Sequence, residues 1–191
     1  MSEIELPEPP TGSDRGFFNA IAIAVALISA FMAVTKIKDD NIVQAMQKAQ
    51  AETVDYWNEF QARRQRQFGV ELAIAQLKAT QPDGEARSKS IEDWQKTADT
   101  YKARAEEAST KAKARQADYD AGNNRDDLFD LSDALLSVSL AMFAVTALTR
   151  VRWLFGLASL LGAGGMVFGV GGFNNWMVLH DSVKVLTDFL S

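Results

Sequence analysis

The chain has 191 residues, and its 47% hydrophobic and 24% charged content is average for one soluble domain. A formal net charge of −5 offers no global attraction to nucleic acid, and the absence of cysteine excludes disulfides, thiolate nucleophiles and cysteine-ligated zinc. The average conceals a segregation: apolar residues concentrate toward both ends, and 35 of the 45 Lys, Arg, Asp and Glu lie between Lys36 and Asp133.

Residues 1–16 are acidic and proline-containing and are read as a disordered tail. Residues 17–35, FFNAIAIAVALISAFMAVT, carry no charge over a length close to the roughly 20 residues that cross a hydrocarbon core. A cleaved signal peptide is the competing reading. The acidic flank and the length of the run favour a retained transmembrane helix.

Residues 36–130 read as a helical-hairpin stalk with its turn at 81–88, QPDGEARS, where Pro82 and Gly84 supply turn chemistry. At 1.5 Å per residue each arm reaches roughly 60 to 70 Å. The returning arm has a heptad seam, Trp94, Ala98, Tyr101, Ala105, Ala108, Ala112, Arg115 and Tyr119, mostly alanine with large aromatics toward its ends. The outgoing arm fits seven less well. Met46, Trp57 and Phe68 recur every eleven residues, as do Val43 and Val54, which predicts a straighter or right-handed contact path.

Within the outgoing arm, YWNEFQARRQRQ (56–67) combines aromatics with arginines. On a helix, Trp57 and Phe60 face the seam while Glu59, Arg63 and Arg66 point away from it, Glu59 pairs with Arg63 at i+4, and Arg64 reaches an aromatic ring or a partner carboxylate. Asp55, Glu59 and Glu71 dilute the basic charge, which argues against nucleic acid and for packing or a protein partner. Candidate packing or partner residues are Trp57, Phe60, Gln61, Arg63, Arg64, Trp94, Tyr101, Ala105 and Ala108.

A break is expected at Gly122, Asn123 and Asn124, with a new helix carrying Asp126 and Asp127 in its first turn against the helix dipole. Asp126, Asp130 and Asp133 share a face. Capping and solvation account for them, and no metal site is assigned. Residues 131–149 and 153–173 are two further transmembrane helices, joined through Arg150, Val151 and Arg152 as a hairpin. Gly162, Gly165 and Gly169 in the last span allow close helix packing, within one chain or between protomers. Residues 174–191 space Trp176, Leu179, Val183, Leu186 and Leu190 as an amphipathic C-terminal helix, placed in the membrane interface or against the stalk. His180, alone of its kind, is an interfacial polar residue and not a metal ligand.

The expected fold is therefore all-α, three transmembrane helices with a long antiparallel, coiled-coil-like stalk. No nucleophile–base–acid set, phosphate loop or ligand cluster is present, so neither an enzyme activity, a cofactor nor a small-molecule substrate is expected. An Ala/Ile-rich first span, YWNEFQARRQR on a long helix and two C-terminal spans together resemble a bacterial membrane-protein family catalogued as domain of unknown function 4337. The specific part of the likeness is Trp57, Phe60, Gln61, Ala62 and a basic residue at 63. That family usually carries lysine where Arg63 stands, so a role requiring an amine does not transfer.

The resemblance implies a multi-pass protein of the bacterial inner membrane and brings no activity with it. Lys36 and Lys38 oppose Arg150 and Arg152 in the positive-inside count, leaving the side of the stalk open. The expected partners are the lipid bilayer and a second copy or a membrane protein complex. The expected role is a noncatalytic scaffold or accessory subunit acting through the stalk. The alternative is a small oligomeric channel or transporter-like protein built on the glycine-rich third span.

Overall fold

A computed structural model describes residues 12–176, and all their regular structure is helical: α1 (Gly12–Thr80), α2 (Glu85–Thr149) and α3 (Arg152–Asn174). The amphipathic C-terminal segment, with His180, Leu179, Val183, Leu186 and Leu190, lies outside the described residues, as does the acidic segment 1–11. Helix α1 begins at Gly12, within the stretch expected to be a disordered tail.

Helix α1 runs 69 residues because nothing stops it: it contains no proline, and Gly69 is its one glycine beyond the first turns. Pro82 and Gly84 then end it, in a turn shorter than the expected 81–88. Arg87 ties this turn down. Its guanidinium donates to the Gln81 carbonyl at 2.6 Å and pairs with Asp83 at 2.6 Å.

The break expected at Gly122–Asn124 does not occur; α2 passes through it without interruption. One glycine and two asparagines cost a helix about 2 kcal/mol in propensity. Burial of Leu128 and Phe129, 1% and 2% exposed, over the next two turns outweighs that. Tertiary packing has overridden local preference, and Asp126 and Asp127 consequently sit in a helix interior with no dipole end to stabilise them.

The eleven-residue repeat in α1 is also corrected. Every buried residue of the helix from residue 15 onward (Ile21, Ile28, Thr35, Asp39, Ile42, Met46, Ala49, Thr53, Gln67 and Ile74) falls on one of two positions of a single heptad. Phe68 and Val54, members of the apparent eleven-residue series, are 66% and 54% exposed. Polar Thr35, Asp39, Thr53 and Gln67 occupy seam positions, so an apolar count misses the period.

The chain forms two compact units, one of residues up to Val43 together with Asn123 onward, the other of Gln44–Gly122. In the first, three helices meet around Ile21 and Ile28 of α1, Leu136 and Phe143 of α2, and Ala158 of α3. The Phe155 ring lies 5.5 Å from Phe143 and 5.6 Å from Phe17, so aromatic edges close one end of this core. The α2–α3 connection turns at Arg150, whose φ of 58° is left-handed, and its N–H donates to the Thr146 carbonyl at 2.9 Å. At the far end of α3, Asn175 adopts the same left-handed conformation, with φ 55°, as its C-cap.

In the second unit α1 and α2 pack antiparallel. Glu52 pairs with Arg115 at 3.1 Å, and Lys111 stands 5.9 Å from the centre of the Tyr56 ring. Both contacts share one register, which brings Phe60 level with the stretch between Ala105 and Ala108. The alanine seam is real: Ala98, Ala105, Ala108 and Ala112 are at most 3% exposed. With so little side chain on α2, the helices approach closely and α1 supplies the bulk. Leucine at Ala105 is therefore expected to overpack this seam and destabilise the two-helix unit by about 1–3 kcal/mol. Hydrogen exchange of amides in 44–122, wild type against variant, measures it.

Candidate functional site

Two places hold the side chains of interest, and each lies within one unit. The first is the middle of the helical hairpin. Tyr56 and Phe60 occupy the heptad positions of α1, whereas Trp57 flanks the seam and meets the Phe60 ring edge-on at 5.5 Å. The expectation that Trp57 itself lies in the seam is thus off by one residue. Heptad positions four and three apart admit 56 and 60, and 57 belongs to neither series.

Arg63 also differs from its expected outward place. It stands at a seam position, half-buried, and its Nε donates to Glu59 Oε1 at 2.8 Å, the expected i+4 pairing. Arg64 is exposed and donates to Gln67 Oε1 at 2.7 Å, on its own helix and not to a ring or to a carboxylate of the returning arm. Gln67 in turn donates to Glu71 at 2.7 Å, so a buried amide in the seam is satisfied along one helix. Gln61 faces outward. On α2 the Glu107 carboxyl is held below its ordinary range by its hydrogen bond to Lys111, and the Lys111 amine is held above its own by the same bond.

Toward the turn, Trp94 and Tyr101 face Arg66, Gly69, Val70 and Ala73 across an open groove of about 490 Å³. Trp94 remains 40% exposed, so this end of the seam is only partly closed. Phe68 and Leu72, 66% and 58% exposed, stand on α1 with no covering neighbour in the hairpin. Nothing lies within 4 Å of a Cβ built on Gly69. Alanine there is expected to stabilise the hairpin by about 0.5–1 kcal/mol, the helix-propensity gain alone, read as a higher unfolding midpoint.

The second place is the three-helix unit. Gly162, Gly165, Gly169 and Gly172 form one edge of α3, and side chains of α1 and α2 pack directly onto its backbone there. A Cβ on Gly162 would come 2.8 Å from Ile28, on Gly165 2.7 Å from Leu136, on Gly169 2.7 Å from Phe31 and on Gly172 2.9 Å from Phe129. The close approach lets Ser132 Oγ donate to the Gly165 carbonyl and Ser139 Oγ to the Ala158 carbonyl, each at 2.7 Å. The glycine edge is used inside the chain.

Beyond the apolar segment of the same unit, Lys36, Asp39 and Asp40 of α1 adjoin Asp126, Asp127 and Asp130 of α2. Lys36 Nζ donates to Asp39 Oδ2 at 2.9 Å and lies 3.5 Å from Asp40; these carboxylates, Asp39 first, push its amine up to about 12. Arg125 Nε donates to the Gly172 carbonyl at 3.1 Å. Among the described residues no group of three or more His, Asp or Glu converges as a metal site does. Asp39 and the two serines drew no notice in the sequence, since a single polar residue on a helix becomes informative only when its neighbours are known.

The family model described as a domain of unknown function, DUF4337, matches residues 17–175. The chain belongs to the DUF4337 family. No curated protein and no solved structure matches it. The DUF4337 match runs from the first apolar segment through the end of α3, so it takes in all of 44–122 and the residues that form both candidate places.

Proposed function

We propose that this DUF4337 protein is a noncatalytic integral membrane protein that acts as a scaffold or accessory subunit, through self-association or partner docking of its helical hairpin. The placement in a bilayer draws on the distribution of polarity in the three-helix unit. Its interior holds Ser132, Ser139 and Thr146, all 0% exposed, while Leu148 at 85%, Leu160 at 69% and Ile23 and Leu27 at 61% face outward. Water would penalise so broad an apolar exterior, and lipid does not. All three helices also contain a segment long and apolar enough to cross a membrane. The bacterial inner membrane is the compartment this reading implies, with either orientation of the hairpin.

The docking role draws on the two-helix unit. Its seam is filled, yet Phe68, Leu72 and Val54 remain exposed on α1 and Trp94 remains partly open beside its groove. Exposed large apolar side chains on a charged hairpin mark an interaction surface. The channel alternative has weaker support, because the glycines on which it rests are packed against Ile28, Leu136, Phe31 and Phe129. Crosslinking in native membranes followed by mass spectrometry tests the role. Crosslinks from the Phe68 face to a second copy or another membrane protein, lost in a Phe68→Ser, Leu72→Ser variant, are expected. A strictly monomeric protein with no crosslinked partner contradicts it.

A further inference from the structure

Asp39 lies in α1 one turn beyond the first apolar segment and is 5% exposed. Its Oδ2 accepts from Lys36, while its Oδ1 is buried with no donor. A buried carboxylate oxygen left unpaired is costly, and one in a native fold requires an explanation. The neighbour that supplies it is Asp126 of α2, which approaches within hydrogen-bonding reach of Asp39. Two ionised carboxylates cannot make that bond, because each only accepts.

We propose that Asp39 and Asp126 form a proton-binding pair: one proton is held on the Asp126 carboxyl, whose O–H donates to Oδ1 of Asp39. Lys36 completes the arrangement by donating to the other oxygen, so both oxygens of the buried Asp39 carboxyl group have a donor. Deprotonation sends the proton to bulk water and leaves two negative groups in contact.

The surroundings set where this happens. On α1, Lys36 and Lys38 attract and Asp40 repels negative charge; on α2, Asp127, Asp130 and Asp133 repel it and Arg125, held by the Gly172 carbonyl, attracts it, and the described part of α3 near this end has no titratable side chain. Desolvation first, then the bond to Asp39 and the charges of Asp130, Asp39 and Asp127, push Asp126 up to about 6. Desolvation and the Asp39 charge raise Asp130 as well. Helix α2 being unbroken here, no helix N-terminus offsets these effects.

The sign of the linkage follows. Asp126 binds its proton more tightly folded than unfolded, so its contribution to stability is fully present below the unfolded value of 3.8 and is lost as pH rises through about 6. The three-helix unit is therefore tightest in mild acid and loosens toward neutrality.

Thermal unfolding of the full chain in detergent, from about pH 4 to about pH 8, tests the pair. The wild-type midpoint should fall relative to that of Asp126→Asn as pH rises from about 4, with the fall complete near 6. The asparagine amide donates to Asp39 at every pH, so the variant should be the more stable of the two at the alkaline end. Should that variant not fold, infrared titration of the wild type reads the same proton directly: a protonated-carboxyl band should persist to about pH 6. Asp130→Asn should keep the band and lower its midpoint, one repelling charge being gone. A wild-type midpoint parallel to that of Asp126→Asn, the absence of the band above about pH 5, or a midpoint that follows sodium, potassium or calcium concentration in place of pH would overturn the assignment.

Discussion

Valine at Gly165 is expected to destabilise the three-helix unit by about 2–4 kcal/mol. The added Cβ would lie 2.7 Å from Cγ of Leu136 and 3.1 Å from the backbone oxygen of Ser132. A leucine can rotate away, but a helix carbonyl cannot, so α2 and α3 must separate. Separation also lengthens the 2.7 Å bond from Ser132 Oγ to the Gly165 carbonyl, which contributes about 1 kcal/mol. The chain carries its own controls. A Cβ on Gly164 would make ordinary contact with Leu135 at 3.9 Å, and one on Gly156 would meet nothing within 4 Å. Thermal unfolding of the full chain in detergent should therefore show a large loss for Gly165→Val and little or no loss for Gly164→Ala and Gly156→Ala. Equal effects at all three positions would mean that the close helix contact is absent.

Truncation of Phe143 to alanine should have a comparable effect for the opposite reason, an emptied space in place of an overfilled one. Phe143 is 0% exposed and belongs to the cluster that joins Ile21 and Ile28, Leu136 and Ala158. Its ring makes a T-shaped contact with Phe155 at 5.5 Å. The expected cost is about 3 kcal/mol, the low end of the range for buried aromatic truncation. The low end applies because, for helices in lipid, the transfer term is small and the lost packing contacts carry the effect. Denaturation of the purified variant, followed by helix content and intrinsic fluorescence, measures it. A change below about 1 kcal/mol would place Phe143 outside the core.

These two substitutions act on features of very different legibility. The glycine edge could be seen in the sequence as small residues at helical spacing, and Gly162, Gly165 and Gly169 do meet large side chains of the same chain. Which side chains they meet could not be seen, because Ile28, Phe31, Leu136 and Phe129 are scattered over a hundred residues. The alanine seam of α2 was legible for a related reason. A repeated small residue is a strong signal, and Ala98, Ala105, Ala108 and Ala112 are all buried.

The outgoing arm misled for a physical reason that applies beyond this protein. Its large apolar residues Met46, Trp57 and Phe68 recur every eleven. The buried positions are set by the heptad, and Thr53 and Gln67 can fill them because each finds a hydrogen-bond acceptor on its own helix, Thr53 Oγ1 at the Ala49 carbonyl and Gln67 at Glu71. A satisfied polar group is no bar to burial. An apolar period also passes over Asp39, whose meaning lies in its encounter with Asp126.

Composition and hydropathy were sufficient for the all-helical class, the three apolar segments and the turn at Pro82 and Gly84, since each rests on chemistry within a short window. Three results needed the packed chain: an unbroken α2 through Gly122, the pairing of Ser132 and Ser139 with carbonyls of α3, and the burial of Asp39 with one carboxyl oxygen lacking a donor. In the first two, burial or a long-range hydrogen bond outweighs a local preference of about 1–2 kcal/mol, and in none does a window along the chain contain all the partners.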